Sequence, residues 1–190
     1  MFMGGIVMIL LSERLKFRTL TEQDFQLFYS VFSNEQVMRY AWIDKFNSEE
    51  EASQFFKESI HYNDLPNKSN GYAFVTYRND DDSFVGIADI FIHSKNSDGG
   101  CGEIGYFLLP DFWGKGYATE LSNCLIKFGF TELKLHKISA RCDSNNYKSE
   151  GVMRKVGMTM EGELRRVRFK NGNWDDEKHY GILLEEWKYR

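Results

Sequence analysis

Cysteine is scarce in this chain and proline scarcer, with three of the first and two of the second in 190 residues. Cys101, Cys124 and Cys142 are odd in number, far apart and never in a Cys-x-x-Cys pair. That excludes a disulfide framework and a thiolate zinc site, and fits a reducing, cytoplasmic setting. The four histidines, His61, His93, His136 and His179, also lack ligand spacing, so no metal is expected. A formal net charge of -4 gives no basic footprint for nucleic acid. The only apolar run, residues 1–11, is too short to span a bilayer and lacks the basic start and cleavage signal of a secretory peptide. Gly4-Gly5 can be encoded by a purine-rich ribosome-binding sequence just ahead of Met8, so residues 1–7 read as an upstream extension and Met8 as the start.

Aromatic residues, by contrast, are plentiful at 16%, which points to a packed core or a ring-lined pocket and away from disorder. The length suits a single domain over residues 1–190. In chain order, Leu15 to Leu20 alternates as a first strand. Thr21 with Asp24 approximates a capping box before a helix whose stripe is Phe25, Phe28, Tyr29 and Phe32. Ser48 with Glu51 starts a second helix with Ala52, Phe55, Phe56 and Ile60 on its inner face. Asn34 to Asn47 reads as a long aromatic connection, either a core plug or, through Met38, Tyr40 and Trp42, a wall of an acceptor pocket. Tyr72 to Tyr77 and Phe84 to His93 are strands of an antiparallel meander, and Lys95 to Gly100 is a loop. Lys137 to Asp143 is a strand parallel to the one before it, Asn146 to Val156 a short helix, and Met158 to Phe169 with Asp176 to Trp187 a closing hairpin turned by Asn171-Gly172.

The segment Glu103 to Phe130 carries the chemistry. Ile104, Tyr106 and Leu108 alternate with Glu103, Gly105, Phe107 and Leu109 in a buried-strand pattern that Pro110 stops. From Tyr117 the period changes, with Leu121, Cys124, Leu125 and Phe128 on one helical face. Gly114 and Gly116 therefore sit at a helix N-terminus, where unpaired amides and the helix dipole favour an anion and the missing Cβ atoms admit a phosphate. A Walker loop is excluded because the four-residue spacer and Gly-Lys-Ser/Thr are absent. A dinucleotide fingerprint is excluded because Thr119 stands where its third glycine belongs. A glycine turn before an ordinary core helix remains the plain alternative.

Trp113-Gly114-Lys115-Gly116-Tyr117-Ala118 resembles the Gln/Arg-x-x-Gly-x-Gly/Ala acetyl-CoA loop of the GNAT N-acetyltransferases, with Trp113 at the departing first position, as is typical of the RimJ/RimL-like branch. Asn146-x-x-Ser149 followed by Lys155-Val156-Gly157-Met158 resembles the family's second motif at every offset. The resemblance covers nearly the whole chain. It implies an α/β (α+β) GNAT fold: a mixed, mostly antiparallel twisted sheet of six to seven strands, about four helices, and a V-shaped splay between two central parallel strands.

It also implies a site. Acetyl-CoA is the expected cosubstrate, with Phe107, Leu108 and Leu109 along the pantetheine strand and Trp113, Gly114, Lys115, Gly116, Tyr117, Ala118 and Thr119 around the phosphates. Asn146 is expected to bond the pantetheine arm, although it could equally be a helix cap, and Lys155 and Gly157 read as an exposed tail and a helix terminator. Many members place an acidic tyrosine seven residues after that Asn. Here Met153 stands there, which leaves Ser149 as the candidate acid, or a thiolate that leaves unprotonated. Glu103 is the candidate base, or else an ordinary strand carboxylate. A backbone amide near Phe107 is expected to polarise the thioester carbonyl.

The implied activity is direct acetyl transfer to a primary amine, such as a protein N-terminal α-amine. A small-molecule amine (polyamine or aminoglycoside) and a non-catalytic acyl-CoA-binding module are the alternatives. The expected partners are acetyl-CoA and the amine, without nucleic acid or membrane, and a homodimer is left open.

Overall fold

The computed structural model describes residues 7–61 and 71–188. Eight strands form one sheet: β1 (Ile9–Leu11), β2 (Leu15–Thr19), β3 (Gly71–Arg78), β4 (Phe84–Asn96), β5 (Gly99–Leu108), β6 (Lys137–Asp143), β7 (Thr159–Lys170) and β8 (Asn173–Leu183). Their order is β1-β2-β3-β4-β5-β6-β8-β7. Every neighbouring pair is antiparallel except β5 and β6. Four helices have eight residues or more: α1 (Phe25–Phe32), α3 (Glu49–His61), α4 (Tyr117–Thr131) and α5 (Tyr147–Lys155). Two are shorter, α2 (Glu35–Met38) and α6 (Leu184–Lys188).

Several boundaries differ from the sequence reading. β1 is an additional strand, paired edge to edge with β2 through Ile9↔Arg18. The expected extension over residues 1–7 lies, except for Val7, outside the described residues. The connection from Asn34 to Asn47 contains α2, because the Asn34 side chain accepts hydrogen bonds from the amides of Gln36 and Val37 and so nucleates a turn. The loop expected at Lys95 to Gly100 shrinks to a tight turn at Ser97 and Asp98, and β4 and β5 run on into it through Asn96↔Gly99. The last strand ends at Leu183 and gives way to α6, where the Glu186 carboxylate accepts from the Leu183 amide.

The two sheet faces carry separate cores. Ile104, Leu108, Ile138, Ala140 and Cys142 pack with Leu121, Leu125 and Phe128 of α4 and Met153 of α5. On the other face Ala73, Val75 and Ile87 pack with Phe28, Val31 and Phe32 of α1, Met38 of α2 and Phe56 of α3, and Phe107 joins them with its ring 4.9 Å from that of Phe32. Alternation along β5 therefore sends Glu103, Gly105 and Phe107 to the α1–α3 face and Ile104, Tyr106 and Leu108 to the α4–α5 face.

The feature that positions the site is the short seam between β5 and β6. They pair only at Cys101↔Lys137, Gly102↔Ile138 and Glu103↔Ser139. β5 nevertheless continues to Leu108 and β6 to Asp143, so beyond Glu103 the strands splay into a V. On its other edge β5 stays paired with β4 as far as Gly86↔Leu108.

Candidate active site

A cavity of about 1190 Å³ opens at this splay. β5 and β6 form its floor, the start of α4 and the start of α5 close one side, and the α2 segment with Tyr40 and Trp42 closes the other. Of the residues expected from sequence, Glu103, Phe107, Leu108, Trp113, Gly114, Gly116, Tyr117, Ala118, Thr119, Asn146 and Ser149 all line it. Leu109 and Lys115 do not. Leu109 turns its side chain into the α1–α3 core while its amide donates to the Val85 carbonyl at 2.9 Å. Lys115 is exposed, and its carbonyl accepts from Arg14 Nη1 at 3.1 Å.

The glycine loop is held by its own backbone and by two anchors. Gly114 (φ 73°) and Gly116 (φ 82°) both take the left-handed conformation that side chains disfavour, and Gly116 is the N-cap of α4. A Cβ at Gly114 would meet nothing within 4 Å, so the glycine serves the turn and the open space in front of it, not protein packing. The Trp113 indole Nε1 donates to the Leu108 carbonyl at 2.7 Å, which fastens the loop to the end of β5. On the outer side the Arg14 guanidinium lies 4.5 Å from the Tyr117 ring and pairs with Glu120 at 2.7 Å. The loop is thus fixed from both ends, with the first amides of α4 aimed at the cavity.

The α4–α5 side of the splay carries two hydroxyls. Tyr106 and Ser149 are hydrogen-bonded at 2.9 Å, strand to helix. Burial pushes the Tyr106 phenol up to about 12, against a smaller lowering by Ser149, so it keeps its proton at any working pH. Ser149 is placed by Asn146, whose Oδ1 accepts from the Ser149 amide at 3.2 Å as the cap of α5. Met153, at the position where the family resemblance places the acid, is 2% exposed and belongs to the core.

The α1–α3 side carries the carboxylates. Glu103 Oε1 accepts from Arg141 Nε at 2.8 Å, and its Oε2 lies 3.6 Å from His93 Nε2. Arg141 reaches on to Glu177 at 3.5 Å, and Arg168 approaches both Asp143 (3.5 Å) and Glu177 (3.9 Å). Asp89 of β4 also lines the cavity, opposite Gly105 in the β4–β5 register. Sequence reading missed Asp89 and Tyr106. Each is one residue in an alternating strand, and only the pairing register and the α5 contact show what they face. The aromatic connection divides, with Met38 buried in the α1–α3 core and Tyr40 and Trp42 lining the cavity. Its carbonyls are gripped from the closing hairpin: Arg168 Nη2 donates to Ala41 at 2.9 Å, and the buried Lys170 ammonium donates to Met38 and, at 3.0 Å each, to Ala41 and Ile43. Among the described residues no group of three or more His, Cys, Asp or Glu could hold a metal, and no helix is long and apolar enough to cross a membrane.

Comparison with known proteins agrees with this geometry. Residues 14–159 match the family model described as an acetyltransferase (GNAT) domain. The chain is 32% identical to the uncharacterized N-acetyltransferase YnaD of Bacillus subtilis strain 168, over 93% of this chain and 97% of that one. The crystal structure of a GNAT-family acetyltransferase from Bacillus anthracis superposes with a TM-score of 0.78 at 31% identity, covering 94% of this chain and all of that one. The Vibrio cholerae spermidine N-acetyltransferase, solved with CoA and spermine, is similar with a TM-score of 0.79 at 25% identity, over 93% of this chain and 99% of that one.

Proposed function

Because the chain belongs to the GNAT family and is an acetyl-CoA-dependent N-acetyltransferase, we propose that its acceptor is a primary amine carrying a single positive charge, of the protein N-terminal α-amine type. The observation that carries this reading is the division of the splay: carboxylates on one face of the sheet, a hydroxyl pair on the other. Acetyl-CoA supplies an activated thioester. The cradle fits it, since two left-handed glycines and the first amides of α4 leave room and donors for phosphate.

The residues then have separable tasks. Gly114, Gly116 and the amides of Tyr117, Ala118 and Thr119 hold the phosphates, and Trp113 keeps the loop in place. The edge of β5 from Tyr106 to Leu108 offers backbone groups to pantetheine, a backbone amide near Phe107 polarising the thioester carbonyl, and Asn146 lends its Nδ2 donors from the far wall. The amine enters over the α1–α3 face, where a carboxylate takes its proton. The sulfur faces α5, where the Tyr106–Ser149 pair donates to it.

Charge balance supports a monocationic acceptor. Around the acceptor face, among the described residues, Arg39, Arg141 and Arg168 stand against Asp89, Glu103, Glu177 and the Asp143 beside Arg168. That leaves one carboxylate in excess for one ammonium, and a polyamine would bring additional ammonium groups beyond it. A polyamine is the second reading, and the likeness to the Vibrio cholerae spermidine enzyme favours it. The test is CoA release with mass spectrometry of the product, using an alanyl peptide amide and spermidine as acceptors. A higher kcat/KM for the peptide is expected. Transfer to spermidine alone would replace the first reading with the second.

A further inference from the structure

Two carboxylates face the acceptor side of the splay, and their surroundings are unequal. Glu103 Oε1 accepts from Arg141 at 2.8 Å, and its Oε2 lies 3.6 Å from His93 Nε2. The Asp89 carboxylate has no hydrogen bond or ion pair with any described residue, although the residue is half-buried in the cavity wall. Its position depends on Gly105, its cross-strand partner. A Cβ built on Gly105 would lie 2.9 Å from both carboxylate oxygens of Asp89, so the carboxylate occupies the volume a side chain would need there. It therefore overhangs β5 between Glu103 and Phe107, at the edge where β5 leaves β6.

From this geometry we infer that Asp89, and not Glu103, is the base that receives the proton of the acceptor ammonium, while Glu103 with Arg141 positions the amine. The inference rests on the amine-transfer reading above and assigns its proton path. A carboxylate already charge-paired to a guanidinium is a weak proton acceptor, whereas one without donors gains by taking a proton.

The remaining charges around Asp89 support this. Cross-strand on β3 stands Ala73, which brings no charge. From β5 comes Glu103, with Arg141 of β6 and His93 of β4 behind it. Across the cavity stand Arg39 of the α2 segment, Arg168 of β7 and Glu177 of β8. Burial first and the neighbouring Glu103 second raise the Asp89 carboxyl to about 7. Below that pH it is protonated and idle, and above it the base is available, so turnover should rise through neutrality.

The step balances. An ammonium gives up two protons in becoming an amide. Asp89 takes one, the nitrogen pair forms the bond to the acetyl carbon, and the C–S bond breaks with its electrons on sulfur. Sulfur takes the second proton by way of the Tyr106–Ser149 pair, and Asp89 returns the first to solvent through the cavity. One proton is released for each acetyl transferred.

The test compares the parent, Asp89→Asn and Glu103→Gln, measuring kcat and kcat/KM from about pH 5 to 9 with an alanyl peptide amide and with spermidine, and acetyl-CoA affinity by calorimetry. Asp89→Asn should lose on the order of 100-fold in kcat at neutral pH, lose the ascending limb near 7, and keep acetyl-CoA affinity within threefold. Glu103→Gln should keep the limb, displaced to lower pH, and show its main defect in acceptor KM. An Asp89→Asn enzyme with the parental limb, or a Glu103→Gln enzyme that alone loses it, overturns the assignment. Should the parent acetylate neither probe, the amine reading fails, and difference infrared titration of parent against Asp89→Asn decides the remainder. A carboxyl titrating near neutrality that the variant lacks sustains the assignment of Asp89, and its absence from the parent overturns it.

Discussion

The Tyr106 and Ser149 hydroxyls stand 2.9 Å apart across the gap between β5 and α5, on the opposite face of the sheet from Asp89 and Glu103. The carboxylates and the hydroxyls thus act from opposite faces of one opening, without competing for a proton. Tyr106→Phe and Ser149→Ala should each slow single-turnover transfer by roughly tenfold, the value of one hydrogen bond to a charged leaving group. The double variant should fall short of the product of the two effects, since the hydroxyls work as a pair. Stopped-flow CoA release measures this, and fully multiplicative losses would mean that they act apart.

Gly116→Asp should abolish acetyl-CoA binding. The left-handed φ of 82° strains any side chain, a Cβ would lie 3.4 Å from Arg14 Nη2, and the new carboxylate would face the amides that favour anions. Calorimetric affinity within threefold of the parent would remove the phosphate cradle from the α4 N-terminus.

Lys170→Met tests the grip on the acceptor wall. The ammonium holds the carbonyls of Met38, Ala41 and Ile43 from a side chain that is 8% exposed. Methionine matches its length and removes one donor from each carbonyl; Ala41 keeps Arg168 and Met38 keeps the Ala41 amide, while Ile43 loses the donor it had in Lys170, at a cost of about 1–3 kcal/mol. Denaturant unfolding should show that loss. Acceptor KM should rise several-fold while acetyl-CoA affinity stays, because the cradle lies on the other side of the cavity. Equal changes in both would make Lys170 a general stabiliser only.

Glu150 provides an acid-stability prediction. Hydrogen bonds from Lys178, Arg154 and Tyr180 hold its carboxyl at about 2, below its ordinary 4.5. A depressed folded pKa contributes stability in full above the unfolded value, and that contribution disappears as pH falls through the folded one. Between pH 4.5 and about 2 the parent should lose its stability advantage over Glu150→Gln. Thermal melts across that window check it, and a constant difference would show that the contact contributes by packing alone.

Legibility followed the range of the interaction. The α4 cradle could be read because a change of period and two glycines are local signals, and Asn146 could be read as a cap for the same reason. α2 was hidden because four residues hold no period, and its start depends on a single asparagine side chain. The proposed base and acid are non-local. Asp89 matters through its register with Gly105, and Tyr106 through a helix 43 residues further along the chain. Met153 lies in the core, and nothing in the sequence says that Tyr106 of the facing strand meets the Ser149 hydroxyl.

The seam between β5 and β6 has a mechanical consequence. Three residue pairs join a half-sheet of five strands to one of three, while neighbouring ladders run for seven or more. Under load the molecule should part along this line before either flanking ladder yields. A ligand that spans both lips of the opening acts as a rivet, so occupancy should raise the rupture force and slow amide exchange in both strands together.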